Sequence, residues 1–175
     1  LIAEILAEEV LSNDSATEWT FKIRKGVEFH NGKTLTADDV IYTMNRHMGA
    51  DSISNASSLV AMVKEWKKVN DYEVKAILSS PNADLPIALG TFHFKILQDG
   101  AEDFSTAVGT GPYKVKEFKP GVRTVGERFG NYWGEGGYLD EIEHFGIGDP
   151  VARLNAFLAG DVDAMVNLPP KAISQ

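Results

Sequence analysis

The sequence is organised around residues 19–40, which read Trp19-Thr20-Phe21-Lys22-Ile23-Arg24-Lys25-Gly26-Val27-Glu28-Phe29-His30-Asn31-Gly32-Lys33-Thr34-Leu35-Thr36-Ala37-Asp38-Asp39-Val40. Apolar and polar residues alternate over 19–24, which predicts a strand with one buried face. Lys25-Gly26 and Asn31-Gly32 predict turns, because Gly and Asn tolerate positive φ. Thr36-Ala37-Asp38-Asp39 predicts a helix start, since Thr is a good N-cap and the helix dipole favours carboxylates in the first turn. The stretch therefore predicts a strand, two turns and a capped helix in close succession.

The composition is that of a globular protein and excludes several classes of function. The 175 residues are 43% hydrophobic and 24% charged, with a net charge of −8 and an isoelectric point near 5.0. This charge argues against nucleic acid as a partner, because phosphate binding needs clustered Lys and Arg. No apolar run approaches the roughly 18 residues of a membrane span. The absence of cysteine excludes disulfides and thiolate metal sites, and it fits an exported bacterial protein.

The rest of the chain alternates between strand and helix patterns. Apolar spacing predicts that the helix after Thr36 runs to Met48, with Gly49 as its cap. The further predicted elements are a strand pair over 59–69 and 72–78, a short helix over 83–89, a strand over 91–97, a strand pair over 113–119 and 123–129, a helix over 151–159 that Asp149-Pro150 opens, and a strand that begins at 160–164.

Three stretches together resemble one family. The order Trp-Thr-Phe-Lys-Ile-Arg of residues 19–24, continued by Gly-Val-Glu-Phe-His-Asn-Gly, is similar to the signature of the bacterial extracellular solute-binding proteins of family 5. These are the periplasmic or lipid-anchored receptors of ABC importers for peptides, nickel and related solutes. Gly109-Thr110-Gly111-Pro112-Tyr113 and Gly160-Asp161-Val162-Asp163 match the same family in order, so the resemblance runs from about Leu6 to Ala164.

The resemblance implies a fold and a domain division. We expect a mixed α+β, periplasmic-binding-protein-like first lobe, with hairpin-rich sheets, a few helices and the second lobe absent. Residues 1–108 would form an outer subdomain, and 109–175 would form part of the core subdomain that leads toward the hinge. The match around Leu6 implies a strand that pairs with the Trp19 strand. Since the chain starts at Leu1 and shows no signal peptide, we expect it to begin inside a longer gene product or after processing.

The resemblance also implies a function. We expect capture of a solute, with an oligopeptide or dipeptide favoured, for the permease subunits of an ABC transporter. The protein would need no cofactor and would reach the membrane only through the transporter or through a lipid anchor outside this chain. Its location would be periplasmic, or extracytoplasmic and lipid-anchored in a Gram-positive source. Receptors for nickel or metal chelates, opines or oligosaccharides are the alternatives within the family.

Two segments are expected to approach the solute by this resemblance. One is the polar loop 52–58, which offers hydroxyls and an amide without charge, and the other is 91–95, where phenylalanine rings offer stacking faces. Nickel receptors would be expected to carry Trp or Arg in these segments, and neither is present. A plain polar loop and a core strand remain the alternative interpretation. The candidate ligand-binding residues are Ser52, Asn55, Ser57, Phe92 and His93.

No residue pattern indicates catalysis. The nucleophile elbow Gly-x-Ser-x-Gly is absent, and Gly109-x-Gly111 lacks the further motif residues of a phosphate loop and precedes Pro112, which has no N–H to donate. His47 has no partner at zinc-like spacing on its helix, while His30 is interpreted as a structural hydrogen-bonding residue. We therefore predict no catalytic or metal-binding residue. An α/β hydrolase-type or metal-dependent enzyme is the alternative from another class, and a structural or interaction module without a pocket is the third.

Overall fold

The computed structural model describes residues 6–104 and 107–167. Residues 7–78 contain a four-stranded antiparallel sheet in the order β1-β2-β4-β3, and a three-stranded antiparallel sheet follows in the order β5-β6-β7. The strands are β1 (Ala7–Ser12), β2 (Glu18–Ile23), β3 (Val63–Asn70), β4 (Glu73–Leu78), β5 (Tyr113–Lys119), β6 (Arg123–Arg128) and β7 (Glu141–Phe145). The α-helices are α1 (Ala37–Asn45), α2 (Leu85–Leu89) and α3 (Pro150–Ala159).

The stretch 19–40 folds as its pattern predicts. Its strand is β2, which pairs with β1 on one side and with β4 on the other, and the hairpin expected around Leu6 is thereby confirmed. Both predicted turns contain glycine at positive φ, 75° at Gly26 and 85° at Gly32. The turns bring Val27, Phe29 and Leu35 into the core, where all three are fully buried. A short segment between strand and helix thus supplies three of the fully buried side chains of the core.

One carboxylate organises the start of α1. Asp39 is fully buried, and its Oδ2 accepts from the backbone N–H of Thr36 at 2.8 Å and from the Thr36 hydroxyl at 3.2 Å. Its Oδ1 accepts from the backbone N–H of Asp99 at 2.8 Å and pairs with the ammonium group of Lys33. Asp39 therefore caps its own helix and also holds a segment 60 residues further along the chain.

Residues 97–101 lie against α1 through several polar contacts of this kind. The hydroxyl of Thr43 accepts from the N–H of Leu97 at 2.8 Å and donates to the carbonyl of Asp39 at 2.8 Å. The hydroxyl of Tyr42 donates to the carbonyl of Ala101 at 2.6 Å. The side-chain amides of Asn31 and Gln98 exchange two hydrogen bonds. Side chains of α1 therefore pair with backbone groups of the segment, while the Asn31 turn contacts the side chain of Gln98.

This arrangement explains the main error of the sequence prediction. The strand predicted over 91–97 is wrong: Thr91 and Phe94 donate their N–H groups to the carbonyls of Ala88 and Thr91 in successive turns. None of the strands formed by residues 6–104 and 107–167 pairs with this segment. The pattern of aromatic and β-branched residues is compatible with a strand, but a strand also needs a free sheet edge within reach.

Other element boundaries differ from the prediction by a few residues. Helix α1 ends at Asn45 and not at Met48, because His47 and Met48 donate to the carbonyls three residues before them, as in a 3₁₀ turn. The strand predicted from residue 59 begins only at Val63, after a 3₁₀ turn over Ser57–Val60. No strand forms within 161–167, although the strand pair 113–129 and the helix opened by Asp149 are confirmed.

His30 joins the two sheets. Its backbone N–H donates to the carbonyl of Gly109 at 2.8 Å, Nδ1 accepts from the N–H of Gly109 at 3.3 Å, and Nε2 lies 3.0 Å from the carbonyl of Gly111. The ring also contacts Phe129 edge-on at 5.1 Å. Since an imidazole that accepts at Nδ1 donates from Nε2, one neutral tautomer satisfies the whole set. The structural role expected for His30 is confirmed, and the Gly109–Gly111 segment is the connection between the sheets.

The second sheet buries less than the first. Among the described residues from 107 to 167, Val125 is the buried hydrophobic side chain, and α3 buries none of its residues. Arg123 of β6 pairs instead with Glu117 of β5 and Glu143 of β7 at 3.1 and 3.3 Å. None of the helices in the described ranges is long and apolar enough to cross a bilayer. The division into subdomains at residue 108 stays a prediction.

Replacing Asp39 by Ala should destabilise the chain far more than the same change at its neighbour. Asp39→Ala removes the helix cap and leaves two backbone N–H groups without acceptors, which should cost about 2–4 kcal/mol. Asp38 is half exposed and pairs with Lys68 on the surface at 2.7 Å, so Asp38→Ala should cost less than about 1 kcal/mol. Urea denaturation of both variants measures the difference, and similar midpoints would contradict the role given to Asp39.

Candidate functional site

Two serines of the 52–58 loop, Ser52 and Ser54, use their hydroxyls in hydrogen bonds that hold the loop in shape. The hydroxyl of Ser52 donates to the carbonyl of Arg46 at 2.8 Å and accepts from the N–H of Ser54 at 3.3 Å. The hydroxyl of Ser54 in turn accepts from the N–H of Ala56 at 3.1 Å. The residues between them face outward, so that Asn55 is exposed and Ile53 is completely exposed. The loop therefore presents an amide and an aliphatic side chain on an ordered backbone.

The second predicted segment presents a pair of stacked rings. Phe92 is 74% exposed, and its ring lies over that of His93 with centroids 3.9 Å apart and planes inclined by 30°. Both side chains are exposed, whereas alternation along a strand would have placed them on opposite faces. Within residues 91–95, the side chain of Phe94 is the buried one. Two consecutive residues are therefore available to a ligand where a strand would have offered one.

His47 connects the two segments, and sequence reasoning missed it. Its Nδ1 lies 2.7 Å from the hydroxyl of Ser54, and its ring contacts that of Phe94 with centroids 4.7 Å apart. The loop 52–58 and the segment 91–95 thus both contact one imidazole. The sequence contained a signal, namely a histidine just after a helix and before a serine-rich loop, but nothing in the spacing showed that residue 94 would reach it.

The surroundings of His47 disfavour its charged form. Burial lowers the pKa of His47 below its ordinary value, and the positive charges of Arg46 and His93 lower it further. A neutral imidazole can accept at one nitrogen and donate at the other. The site therefore holds a neutral, oriented hydrogen-bonding group at the point where its two segments meet.

Two cavities flank the contact between His47 and Phe94. The smaller has a volume of about 350 Å³ and is lined by His47, Met48, Gly49, Ser57, Ser58, Val60, Ala61 and Val63. The larger, of about 900 Å³, lies between one face of the first sheet and the chain from Pro86 to Gly111, with Phe21, Trp66, Phe94 and Trp133 in its walls. Its walls mainly continue the hydrophobic core, while the smaller cavity combines apolar walls with hydroxyls and an imidazole, as recognition sites do.

The structure places the five candidate residues differently. Ser57 lines the smaller cavity, Phe92 and His93 form the exposed ring pair, Asn55 is exposed at the loop surface, and Ser52 is engaged in holding the loop. Their contact with a ligand stays a prediction. Within 6–104 and 107–167, no three His, Asp or Glu side chains lie close enough together to hold a metal ion.

The fold is that of a class of protein, the periplasmic binding proteins. The chain belongs to the bacterial extracellular solute-binding proteins, family 5, whose model for the middle region matches residues 2–175. The resemblance seen in the sequence is thereby confirmed.

Individual relatives agree with this assignment. The chain is 32% identical to the oligopeptide-binding protein AppA of Bacillus subtilis, over 94% of this chain and 32% of that protein. It superposes on the AppA structure solved with a nonapeptide with a TM-score of 0.80, 30% identity and coverage of 90% and 34% of the two chains. The structure of AgaA of A. tumefaciens R10, solved with agropinic acid, superposes with a TM-score of 0.83 and 26% identity. The match covers 90% of this chain and 33% of AgaA. The chain thus spans about a third of the length of these relatives.

The lowered pKa of His47 should make stability depend on pH in a defined direction. Between the lowered pKa of the folded state and the ordinary value of 6.5, the unfolded chain binds more protons than the folded one, so stability falls as the pH falls through that window. His47→Gln has no imidazole to titrate at this position, so its free energy of unfolding should fall less over the same pH window. Urea midpoints from pH 8 to pH 5 test this, with His144→Gln on the exposed part of β7 as the control substitution. Equal slopes for wild type and His47→Gln would refute the expectation.

Proposed function

We propose that this chain is the first-lobe portion of a substrate-binding protein that captures an oligopeptide or dipeptide for an ABC importer. One observation carries the proposal: in a family 5 chain, the loop 52–58 and the segment 91–95 both contact His47, through Ser54 and Phe94. The loop also presents an outward Asn55, and the segment presents the exposed Phe92–His93 ring pair. An amide and aromatic faces suit a peptide, whose backbone needs hydrogen bonds and whose side chains need apolar contact.

Capture, and not catalysis, is the proposed activity. The second lobe of the receptor would close over the solute, and the closed form would be the one that the permease subunits recognise. The proposed location is periplasmic, or extracytoplasmic with a lipid anchor. The relatives named for oligopeptide and dipeptide binding support a peptide as the solute, and the missing Trp and Arg in the two segments count against a nickel chelate.

An opine is the second candidate solute within the family, favoured by the similarity to the AgaA structure solved with agropinic acid. Mass spectrometry of small molecules that co-purify with the complete receptor distinguishes the two. A mixture of short peptides supports the proposal, whereas an opine, a sugar or a metal complex as the retained solute would redirect it.

Phe92→Ala should weaken peptide binding by the complete receptor about fivefold or more, because truncating a central aromatic contact typically costs more than about 1 kcal/mol. The thermal midpoint should barely change, since the ring is already 74% exposed. Phe118→Ala is the matched control, because Phe118 is 52% exposed and lies on the second sheet. Isothermal titration with alanine di- to pentapeptides measures the affinities. Unchanged affinity in Phe92→Ala would remove Phe92 from the site.

The 175-residue chain alone should bind the same peptides at least tenfold more weakly than the complete receptor. A solute enclosed by two lobes loses about half of its contacts when one lobe is missing, and each tenfold change in affinity corresponds to about 1.4 kcal/mol. Titration of both proteins under the same conditions tests this. Equal affinities would show that the first lobe contains the whole site.

A further inference from the structure

We propose that His47 is a solute-binding residue, and that its Nε2–H donates a hydrogen bond to an oxygen of the peptide bound in the 350 Å³ cavity that His47 lines. This inference rests on the proposed function and adds a specific donor to it.

The ring is oriented from two sides. Ser54 contacts Nδ1 at 2.7 Å, and Phe94 contacts the ring itself with centroids 4.7 Å apart and planes inclined by 59°. Ser54 is held in place in turn, because its hydroxyl accepts from the N–H of Ala56 and its carbonyl accepts from the N–H of Ser57. A side chain fixed in this way loses little freedom when it binds a ligand, which favours affinity.

The hydrogen bonds of Ser54 favour a proton on Nε2 of His47. The hydroxyl oxygen already accepts from Ala56 at 3.1 Å, so the arrangement that also uses its hydrogen has that hydrogen donated to Nδ1 of His47. A neutral imidazole that accepts at Nδ1 carries its proton on Nε2. Burial and the charges of Arg46 and His93 lower the pKa of His47 and favour this neutral form. The ring therefore offers one donor, at Nε2.

Nε2 is open to a ligand. No hydrogen bond joins it to any residue within 6–104 and 107–167. It is also not among the buried unpaired atoms of these ranges, which are Trp66 Nε1 and Arg153 Nε. Nε2 thus reaches accessible space, and the cavity beside His47 has room for part of a peptide. The oxygen that it meets is a carbonyl or the terminal carboxylate, for which the positive charge of the neighbouring Arg46 provides a favourable field.

The test compares two replacements of His47 in the complete receptor. His47→Phe keeps a ring against Phe94 but removes the donor, and it should weaken binding of alanine di- to pentapeptides roughly threefold to tenfold, the range of one hydrogen bond. His47→Gln carries an amide N–H at a similar distance from the backbone as Nε2 and should stay within about threefold of wild type. His144→Phe, at an exposed position of β7, should bind as wild type does.

Two further readouts separate binding from a structural role. Thermal midpoints of His47→Phe and His47→Gln should be similar, and the ¹⁵N resonance of His47 Nε2 should shift when peptide is added. Peptides with an amidated C terminus distinguish the two possible acceptor oxygens. If wild type binds the amidated peptides more weakly than the free peptides and His47→Phe does not, the acceptor is the terminal carboxylate. If wild type binds both kinds of peptide equally well, the acceptor is a backbone carbonyl.

Wild-type affinity in His47→Phe, or equal losses in both His47 variants together with an Nε2 resonance that peptide does not move, would overturn the inference and leave the proposed function standing. A wild-type receptor that binds none of the peptides would overturn the proposed function, and the inference with it.

Discussion

The hydrogen bonds and the ion pair of the buried Asp39 carboxylate hold together the helix beside the first sheet and the chain that leads from the candidate site. Donors from Lys33, Thr36 and Asp99 converge on it, so one side chain fixes the start of α1 and the course of the chain after Phe94. With Thr43, it provides the backbone of 97–99 with partners that a strand would have found in a sheet. The exposed ring pair at 92–93 keeps its position because the residues that follow it are held to the helix.

His30 likewise holds two distant parts of the chain together, at the junction of the two sheets. Both ring nitrogens and the backbone N–H contact the Gly109–Gly111 segment, so the chain leaves the first sheet in a fixed direction. Asn131 adds a contact from the far side, where its amide donates to Glu28 at 2.9 Å. The turn between strand and helix in 19–40 is therefore also the surface on which the second sheet rests.

Sequence patterns predicted the elements well where local physics is sufficient. Alternation of apolar and polar residues located β2, β4, β5 and β6. The glycines at 26 and 32 located the two turns, and Asp149 located the start of α3. They failed at 91–97, because a strand requires a partner that local sequence does not specify. In the loop 52–58, they correctly found a polar segment but could not show that Ser52 and Ser54 would use their hydroxyls internally and leave Ile53 and Asn55 outward.

The sequence by itself determined the family and the strand, two turns and capped helix of Trp19–Val40. Each of these depends on residue types read in order or on hydrogen bonds between near neighbours. Only the tertiary structure decided that His47 joins the segments and that Asp39 holds the chain at Asp99, since these contacts join residues 47 and 60 positions apart. Such contacts form only when the packed core brings the two parts of the chain together, and no local pattern encodes that distance.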